Sequence, residues 1–222
     1  MKRSRWTSDL HWVRTSQQTR SERTQAKLLD AAEELFGEHG VDSTSVADIA
    51  EHAGCSIGAV YHHFSDKKAV LYALFDRIAE EYDATARAAT DPARWEGATI
   101  GDLILGYIEV SIGTIADRPS SRLPGLEIAR SDASLRDQYD KMRMVADEGV
   151  TALILARRDE IGHPEPEQAV KFVLDQLGSM FSVRLSGDGL PTRFGDQSDE
   201  AFTREALRSV CGYLQVALPV DL

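Results

Sequence analysis

A helical repeat of apolar residues is the feature that most constrains the fold of this chain. From about Arg23 onward, apolar side chains recur every three to four residues, and the alternation typical of strands is almost absent. The first stripe consists of Leu28, Ala32, Leu35 and Phe36. Hydrophobic residues make up 42% of the 222 residues, which is enough to fill a core. The sequence therefore predicts an all-α globular protein.

Helix-breaking and helix-capping residues divide the chain. Gly37 and Gly40 are expected to end the first helix, and Asp66 is placed to cap a fourth helix that runs to about Ala89. Later helical patterns cover residues 99–117, 123–131, 134–161, 166–186 and 200–217. The predicted parts are a basic, flexible N-terminal arm (1–20), a three-helix unit (21–67) and a larger C-terminal helical domain (68–222).

Two short predicted helices meet at a turn around Gly54. Ser45 and Asp48 have the spacing of a helix N-cap and its third residue, which is a capping box with Asp in place of Glu. Ser56 can cap the second helix. The segment from Ser45 to Phe64 therefore reads as a helix-turn-helix. In that motif the second helix enters the DNA major groove and the first crosses the backbone.

The apolar pattern predicts which face of the second helix is free. Ile57, Val60 and Phe64 are expected to point inward. The residues expected to point more outward are Gly58, Ala59, Tyr61, His62 and His63. Small residues let DNA approach closely, a tyrosine hydroxyl can bond a phosphate, and a histidine can bond a base edge or a phosphate.

Residues near the helix ends extend this candidate surface. Ser45 places a hydroxyl beside backbone N–H groups that suit a phosphate, and Lys67 follows the second helix, where a cation can contact a flanking phosphate. The predicted DNA-binding residues are therefore Arg23, Ser45, Gly58, Ala59, Tyr61, His62 and Lys67.

Charge is distributed unevenly along the chain. The formal net charge is −11, yet residues 1–27 contain seven basic side chains and two acidic ones. Such a segment suits an anionic partner, and it equally suits a solvated tail. Arg14, Arg20 and Arg23 lie at or before the start of the first helix, from where they could reach phosphates or the minor groove.

No pattern in the sequence indicates catalysis or a cofactor. It contains no phosphate-binding loop, nucleophile elbow, metal-ligand cluster or cofactor fingerprint. Cys55 and Cys211 form neither a disulfide framework nor a metal-site spacing. The most apolar stretch, residues 100–116, is interrupted by Asp102 and Glu109, and the N-terminus lacks the apolar core of a signal peptide. We expect a cytoplasmic protein that is not an enzyme and needs no cofactor or metal.

Residues 31–71 read AAEELFGEHGVDSTSVADIAEHAGCSIGAVYHHFSDKKAVL, and this segment resembles the DNA-binding domain of the TetR family of bacterial regulators. The matching features are Ala31-Ala32, Phe36, Gly40, Ser45, Asp48-Ile49-Ala50, Ala53-Gly54, Ser56, Gly58, Tyr61, His63-Phe64, Lys67 and Leu71. The resemblance implies an all-helical homodimer with two helix-turn-helix heads and a C-terminal body that binds a small effector. Most members repress transcription and release their DNA operator when the effector binds.

The resemblance also implies roles for individual positions. In the family, the positions occupied here by Ser45, Gly58, Tyr61, His62 and Lys67 commonly contact DNA. The residue before Asp48-Ile49-Ala50 is often basic in the family, whereas it is Ala47 here. A two-fold symmetric dimer would read a palindromic operator.

The effector pocket implied by the resemblance should lie among the C-terminal helices, where apolar walls surround a few polar groups. The candidate effector-binding residues are Tyr107, Ser111, Glu127, Met142, Met180 and Phe181. Aromatic and methionine side chains at helical spacing fit an ordinary core equally well. Glu127 also fits a surface ion pair with Arg130. The sequence does not identify the effector.

The last two long helices should form the dimer interface, by the same resemblance. Their apolar residues at helical spacing are Val170, Val173, Leu174, Leu177, Phe181 and Leu185, then Leu207, Val210, Leu214 and Leu218. These stripes fit a helix bundle built across a two-fold axis. They also fit burial within one subunit, and the sequence leaves both arrangements open.

Two other functions compete with a ligand-responsive repressor. One is an enzyme, which the absence of any catalytic motif disfavours. The other is a helix-turn-helix protein that acts mainly through a protein partner or activates transcription, which Ala47 and the acidic body allow. A steep dependence of duplex binding on salt would favour the repressor over both.

Overall fold

A computed structural model describes residues 3–14, 19–116, 132–185 and 197–219, and these residues form helices and no strand. The α-helices are α1 (Arg20–His39), α2 (Val46–His52), α3 (Ile57–His63), α4 (Lys67–Ala89), α5 (Ile100–Ala116), α6 (Ala133–Leu155), α7 (Pro166–Leu185) and α8 (Asp199–Leu214). Short 3-10 turns occupy Pro92–Trp95 and Arg158–Glu160. The all-α prediction is confirmed, while the helix predicted over 123–131 lies outside the described residues. Across the described ranges, no helix has both the length and the apolar character needed to cross a bilayer.

The chain divides into two compact units. The head unit contains residues 12–83 and 115–142, and the body unit contains residues 1–11, 84–114 and 143–222. The head therefore continues beyond the predicted boundary at residue 67, because the first part of α4 packs into its core.

Local capping explains where the first helices begin and end. The Thr19 hydroxyl accepts from the Glu22 backbone N–H at 3.1 Å, and the Glu22 carboxylate accepts from the Thr19 N–H at 2.8 Å. Helix α1 ends at Gly40, whose φ of +83° is costly for other residues, whereas Gly37 lies inside the helix. The Asp66 carboxylate accepts from the Ala69 N–H at 2.8 Å and caps α4, as predicted.

The core of the head joins α1, α2, α3, α4 and the start of α6. Its largest fully buried side chains are Leu28, Phe36, Ile49, Leu74 and Leu135. Tyr72 donates a hydrogen bond to Asp132, just before α6. This bond, with help from Lys68, lowers the pKa of Asp132 to about 2. The start of α6 is thus held against α4 by both apolar packing and charge.

The core of the body is built from α5, α6, α7 and α8. Both predicted apolar stripes contribute to it, because the residues buried there include Val170, Val173, Leu174, Leu177, Phe181, Leu207, Val210 and Leu214. These residues therefore pack within one subunit, and Leu218 is exposed. The side chain of Leu185 lies outside the described residues.

Residues 3–10 pack against α5 in the body unit, whereas the charge pattern suggested a flexible arm over residues 1–20. Thr7 is fully buried and Leu10 nearly so. The reason is a carboxylate on α5, Glu109, which is 3% exposed and accepts hydrogen bonds from Ser4 and Thr7. A buried charge needs such donors, and this segment supplies them.

Candidate nucleic-acid interface

The turn between α2 and α3 sets the direction of α3. Gly54 has a φ of +62°, a left-handed conformation that favours glycine. The Gly54 N–H donates to the Glu51 carbonyl at 3.0 Å, and the Cys55 N–H donates to the Ala50 carbonyl at 2.9 Å. The half-buried Cys55 side chain packs against the head core. The turn is therefore a short connection held by backbone hydrogen bonds to α2.

Each of the two short helices starts at a serine cap. The Ser45 hydroxyl accepts from the Asp48 N–H at 3.1 Å, and the Asp48 carboxylate accepts from the Ser45 N–H at 2.8 Å. The hydrogen bonds from Ser45 hold the pKa of Asp48 below its usual value. The Ser56 hydroxyl accepts from the Ala59 N–H at 3.2 Å and caps α3. The predicted capping box is confirmed.

The orientation of α3 differs from the prediction at one residue. Val60 and Phe64 are buried, but Ile57 is 50% exposed, so the expected inward position of Ile57 is wrong. The reason is that Phe64 lies beyond the end of α3 in extended backbone, where helical spacing no longer relates it to Ile57. Ile57 instead shares a face with Tyr61, four residues later and 57% exposed.

The other predicted α3 residues lie on or beside this face. Gly58 and His62 are exposed, and Ala59 is half-buried. The rings of His62 and His63 meet edge to face, with centroids 5.1 Å apart. The free side of α3 therefore combines an apolar side chain, a phenol, an imidazole and two small residues. The sequence interpretation did not place Ile57 on this exposed face, although its i, i+4 spacing to Tyr61 was a usable signal.

The remaining predicted DNA-binding residues lie on other elements of the head. Arg23 is exposed on the first turn of α1, and Ser45 is exposed at the start of α2. The Lys67 ammonium donates to the backbone carbonyls of Val41 at 2.7 Å and Asp42 at 3.4 Å. Lys67 therefore ties α4 to the α1–α2 loop, and an ammonium has three donors to share among these carbonyls and a phosphate.

The structure brings together some of the candidate effector residues in the body. The Tyr107 hydroxyl donates to the Asp147 carboxylate at 2.9 Å, and the Tyr107 ring centroid lies 6.0 Å from that of Phe181. Met180 packs against the same core. The Ser111 hydroxyl donates back to the Tyr107 carbonyl within α5 at 2.7 Å. Asp147, on α6, was not predicted, and nothing in its local sequence distinguishes it from a surface carboxylate.

Two effector candidates cannot be placed. Glu127 and the side chain of Met142 lie outside the described residues.

The head matches a known family in sequence. The family described as "Bacterial regulatory proteins, tetR family" matches residues 28–74. The HTH-type transcriptional regulator TtgR of Pseudomonas putida is 44% identical over 69 residues, which are 31% of this chain and 33% of TtgR. The chain thus spans about a third of the length of this relative.

Other likenesses extend over most of the chain. The HTH-type transcriptional repressor AcnR of Corynebacterium diphtheriae is 27% identical over 173 residues, covering 73% of this chain and 81% of AcnR. A solved structure described as a TetR-family transcriptional regulator, from Mesorhizobium loti, superimposes with a TM-score of 0.69 at 23% identity. That likeness covers 89% of this chain and 98% of the other, so the similarity in fold extends over most of the chain. Residues 28–74 of this chain therefore match the TetR family of bacterial regulatory proteins.

Proposed function

We propose that this protein is a ligand-responsive, sequence-specific DNA-binding transcriptional regulator. In this proposal it is a homodimeric repressor that a small-molecule effector releases from a palindromic operator. The observation that carries the proposal is the exposed face of α3, with Ile57 and Tyr61 beside Gly58 and His62. The likeness to the repressor AcnR over most of its length supports the direction of regulation. In this proposal the protein acts in the cytoplasm, where its operator lies. It regulates by binding and catalyses no reaction.

The α3 face suits both kinds of contact that a regulator makes with DNA. The Tyr61 hydroxyl can donate to a phosphate, which positions the helix without reading sequence. The Ile57 side chain offers an apolar surface to a thymine methyl group in the major groove. Gly58 leaves space for close approach of the duplex. Ala47 is exposed on α2 and offers no charged contact, so α3 carries more of the interaction.

The direct test is binding to the DNA upstream of the protein's own gene, titrated with salt against a scrambled duplex of equal length. A preference of about 1,000-fold or more, with steep salt dependence, would support the proposal. Salt-independent binding, or no binding to either duplex, would contradict it. Equal, weak binding to both duplexes would favour the alternative in which a protein partner directs the head.

Replacing Tyr61 with phenylalanine tests the phosphate contact. We expect duplex binding to weaken by at least about tenfold per head, since one hydrogen bond to a charged group is lost. The loss should be equal for operator and scrambled duplexes, because a phosphate carries no base information. Fluorescence anisotropy with both duplexes measures this. Ser134→Ala removes an exposed hydroxyl at the start of α6, outside α3 and the last two helices, and is the control. A loss confined to the operator would contradict the assignment.

The proposed dimer uses a face of α7 and α8 that differs from the predicted stripes. Phe172, Val183 and Tyr213 are 53%, 44% and 39% exposed, and the Phe172 and Tyr213 ring centroids lie 5.0 Å apart. Exposed aromatic residues on adjacent helices are typical of interface centres. We therefore place the homodimer contact on this face of the last two helices.

Phe172→Glu is expected to dissociate the dimer. A carboxylate at the centre of an apolar interface should weaken self-association by at least about 30-fold, equivalent to about 2 kcal/mol. Sedimentation velocity over a concentration series measures the change. Ser134→Glu adds the same charge at an exposed position of α6 and should leave the dimer intact. Equal behaviour of the two variants would remove Phe172 from the interface.

The proposed effector site is bordered by Tyr107, Asp147, Met180 and Phe181. The rings of Tyr107 and Phe181 and the Met180 side chain suit contact with a small, largely apolar molecule. The Asp147 carboxylate, now paired with the Tyr107 hydroxyl, could accept a hydrogen bond from a donor group on such a molecule.

A further inference from the structure

A buried carboxylate in the body is satisfied by the N-terminal segment. Glu109 accepts from the Ser4 backbone N–H at 2.8 Å, from the Ser4 hydroxyl at 2.7 Å and from the Thr7 hydroxyl. Glu109 is 3% exposed and Thr7 is fully buried. We call residues 3–12 the strap. Because an unpaired buried carboxylate is costly, removing the strap's donors destabilises its docked position.

Further contacts hold the same part of the strap. Trp6 stacks on Trp95, with ring centroids 5.8 Å apart and planes at 26°. Arg94 donates to the Trp6 carbonyl at 3.0 Å and to the Asp9 carboxylate at 2.6 Å. The hydrogen bond from Arg94 holds the pKa of Asp9 below its usual value. The strap is therefore bound through charge, hydrogen bonds and aromatic stacking.

Helix α5 is shaped for this contact. A Cβ at Gly106 would lie 2.2 Å from Trp95, so only glycine lets that ring lie against the helix and support Trp6. Gly113, seven residues later, faces the Arg3 guanidinium, where a Cβ would lie 2.4 Å away. Glycine inside a helix costs about 1 kcal/mol relative to alanine. Glycine is nevertheless required at Gly106, which faces a rigid ring, whereas the Arg3 guanidinium facing Gly113 is the end of a flexible side chain that can shift.

The other end of the strap is anchored in the head unit. The Trp12 indole N–H donates to the Glu81 carboxylate at 2.7 Å, and the Trp12 ring centroid lies 6.3 Å from that of Tyr82. Both partners lie on α4. Thr7 and Trp12 are five residues apart in the chain, a stretch that spans at most about 18 Å. The chain between Thr7 and Trp12 therefore sets an upper limit on how far the two anchors can move apart.

We propose that the strap couples α5 to α4, so that loosening either anchor loosens the other. Its meaning for regulation rests on the proposed function. Tyr107 and Ser111 lie two residues before and after Glu109, so they project from the opposite side of α5. A small molecule that binds against Tyr107 and moves α5 would then pull on α4 through the strap, in addition to any motion carried by the helices.

The first test loosens the body anchor with Thr7→Val, which keeps the shape of the side chain and removes the donor. Hydrogen exchange of the full chain, without ligand or DNA, should rise about tenfold in residues 3–11. It should also rise about fivefold in α4 around Glu81 and Tyr82. Residues 46–63 should be unchanged, which shows that the head is folded. Thr7→Ser retains the donor and Ser8→Ala changes an exposed hydroxyl of the strap, so both should behave like the parent.

The second test loosens the head anchor with Trp12→Phe, which removes the donor to Glu81 and keeps an aromatic ring. Coupling is reciprocal, so exchange should now rise in residues 3–11 and in α5 around Glu109. If either variant affects only its own anchor, the coupling is absent and the proposal fails. Neither exchange experiment uses DNA. Failure to bind a duplex would therefore overturn the proposed function without changing what the exchange experiments show about coupling.

Discussion

Arg77→Ala is expected to lower the free energy of unfolding of the head by about 3–5 kcal/mol. Arg77, on α4, donates to Glu33 at 2.8 Å and to Asp30 at 2.8 Å, both on α1. The side chains of Arg77 and Glu33 are only 10% and 9% exposed, so the pair is shielded from water. Alanine would leave the Glu33 carboxylate buried without the guanidinium that neutralises it. Hydrogen exchange of α1 and α4 across a urea series measures the loss.

Two control variants test whether the loss of stability arises because the Arg77–Glu33 ion pair is buried. Arg208→Ala breaks an exposed pair with Glu205 on α8, where both side chains are at least half exposed, and should cost less than about 1 kcal/mol. A double variant, Glu33→Gln with Arg77→Met, removes both charges and should recover most of the stability lost in Arg77→Ala. Similar small losses for Arg77→Ala and Arg208→Ala would show that the buried ion pair contributes no more to the free energy of unfolding than the exposed one.

Ile57→Glu is expected to reduce duplex binding by about 1,000-fold, because it sets a carboxylate on the α3 face against the DNA phosphates. Like charges brought together in an interface cost several kcal/mol, and a dimer would carry the change twice. Ile57 is half exposed, so the free energy of unfolding should change by less than about 0.5 kcal/mol. Anisotropy with the operator duplex and a urea titration measure the two quantities.

The matched control is Ile57→Gln, which has nearly the same size as the glutamate variant and no charge. It should bind scrambled duplex almost as well as the parent and lose only the preference for thymine at the contacted position. Equal losses for the two variants would mean that shape, not charge, governs this position. Unchanged binding by Ile57→Glu would show that the α3 face does not meet DNA.

Local features of the fold were predictable from the sequence because they depend on neighbouring residues. The caps at Ser45 and Asp66 and the stop at Gly40 each act within about four positions of the chain. Ile57 was misassigned because the end of α3 was not recognised, and a helical spacing was extended past it. The stripes of α7 and α8 were read correctly as apolar, but periodicity alone does not distinguish a subunit core from an interface.

The candidate sites were predictable only where the chemistry is local. The α3 residues lie within a single short helix, whereas Tyr107 and Asp147 are 40 residues apart. Ser4 and Glu109 are separated by 105 residues. The sequence showed Glu109 as a charge inside the most apolar stretch, yet it gave no sign of the partner that satisfies it. The N-terminal segment was predicted to be a flexible arm from its basic charge alone. The packing of Trp6 and Leu10 was missed because their partners are also distant in the sequence.

The placement of tryptophan gives the unlabelled protein an optical reporter. The chain has three tryptophans, and all three belong to the strap or its docking surface: Trp6 and Trp12 lie in the strap, and Trp95 lies beneath it. Indole emission depends on stacking and on exposure to water, and no tryptophan elsewhere in the chain contributes to the emission. Intrinsic fluorescence therefore follows this one segment, so a library of small molecules or duplexes can be screened for strap movement with no added dye.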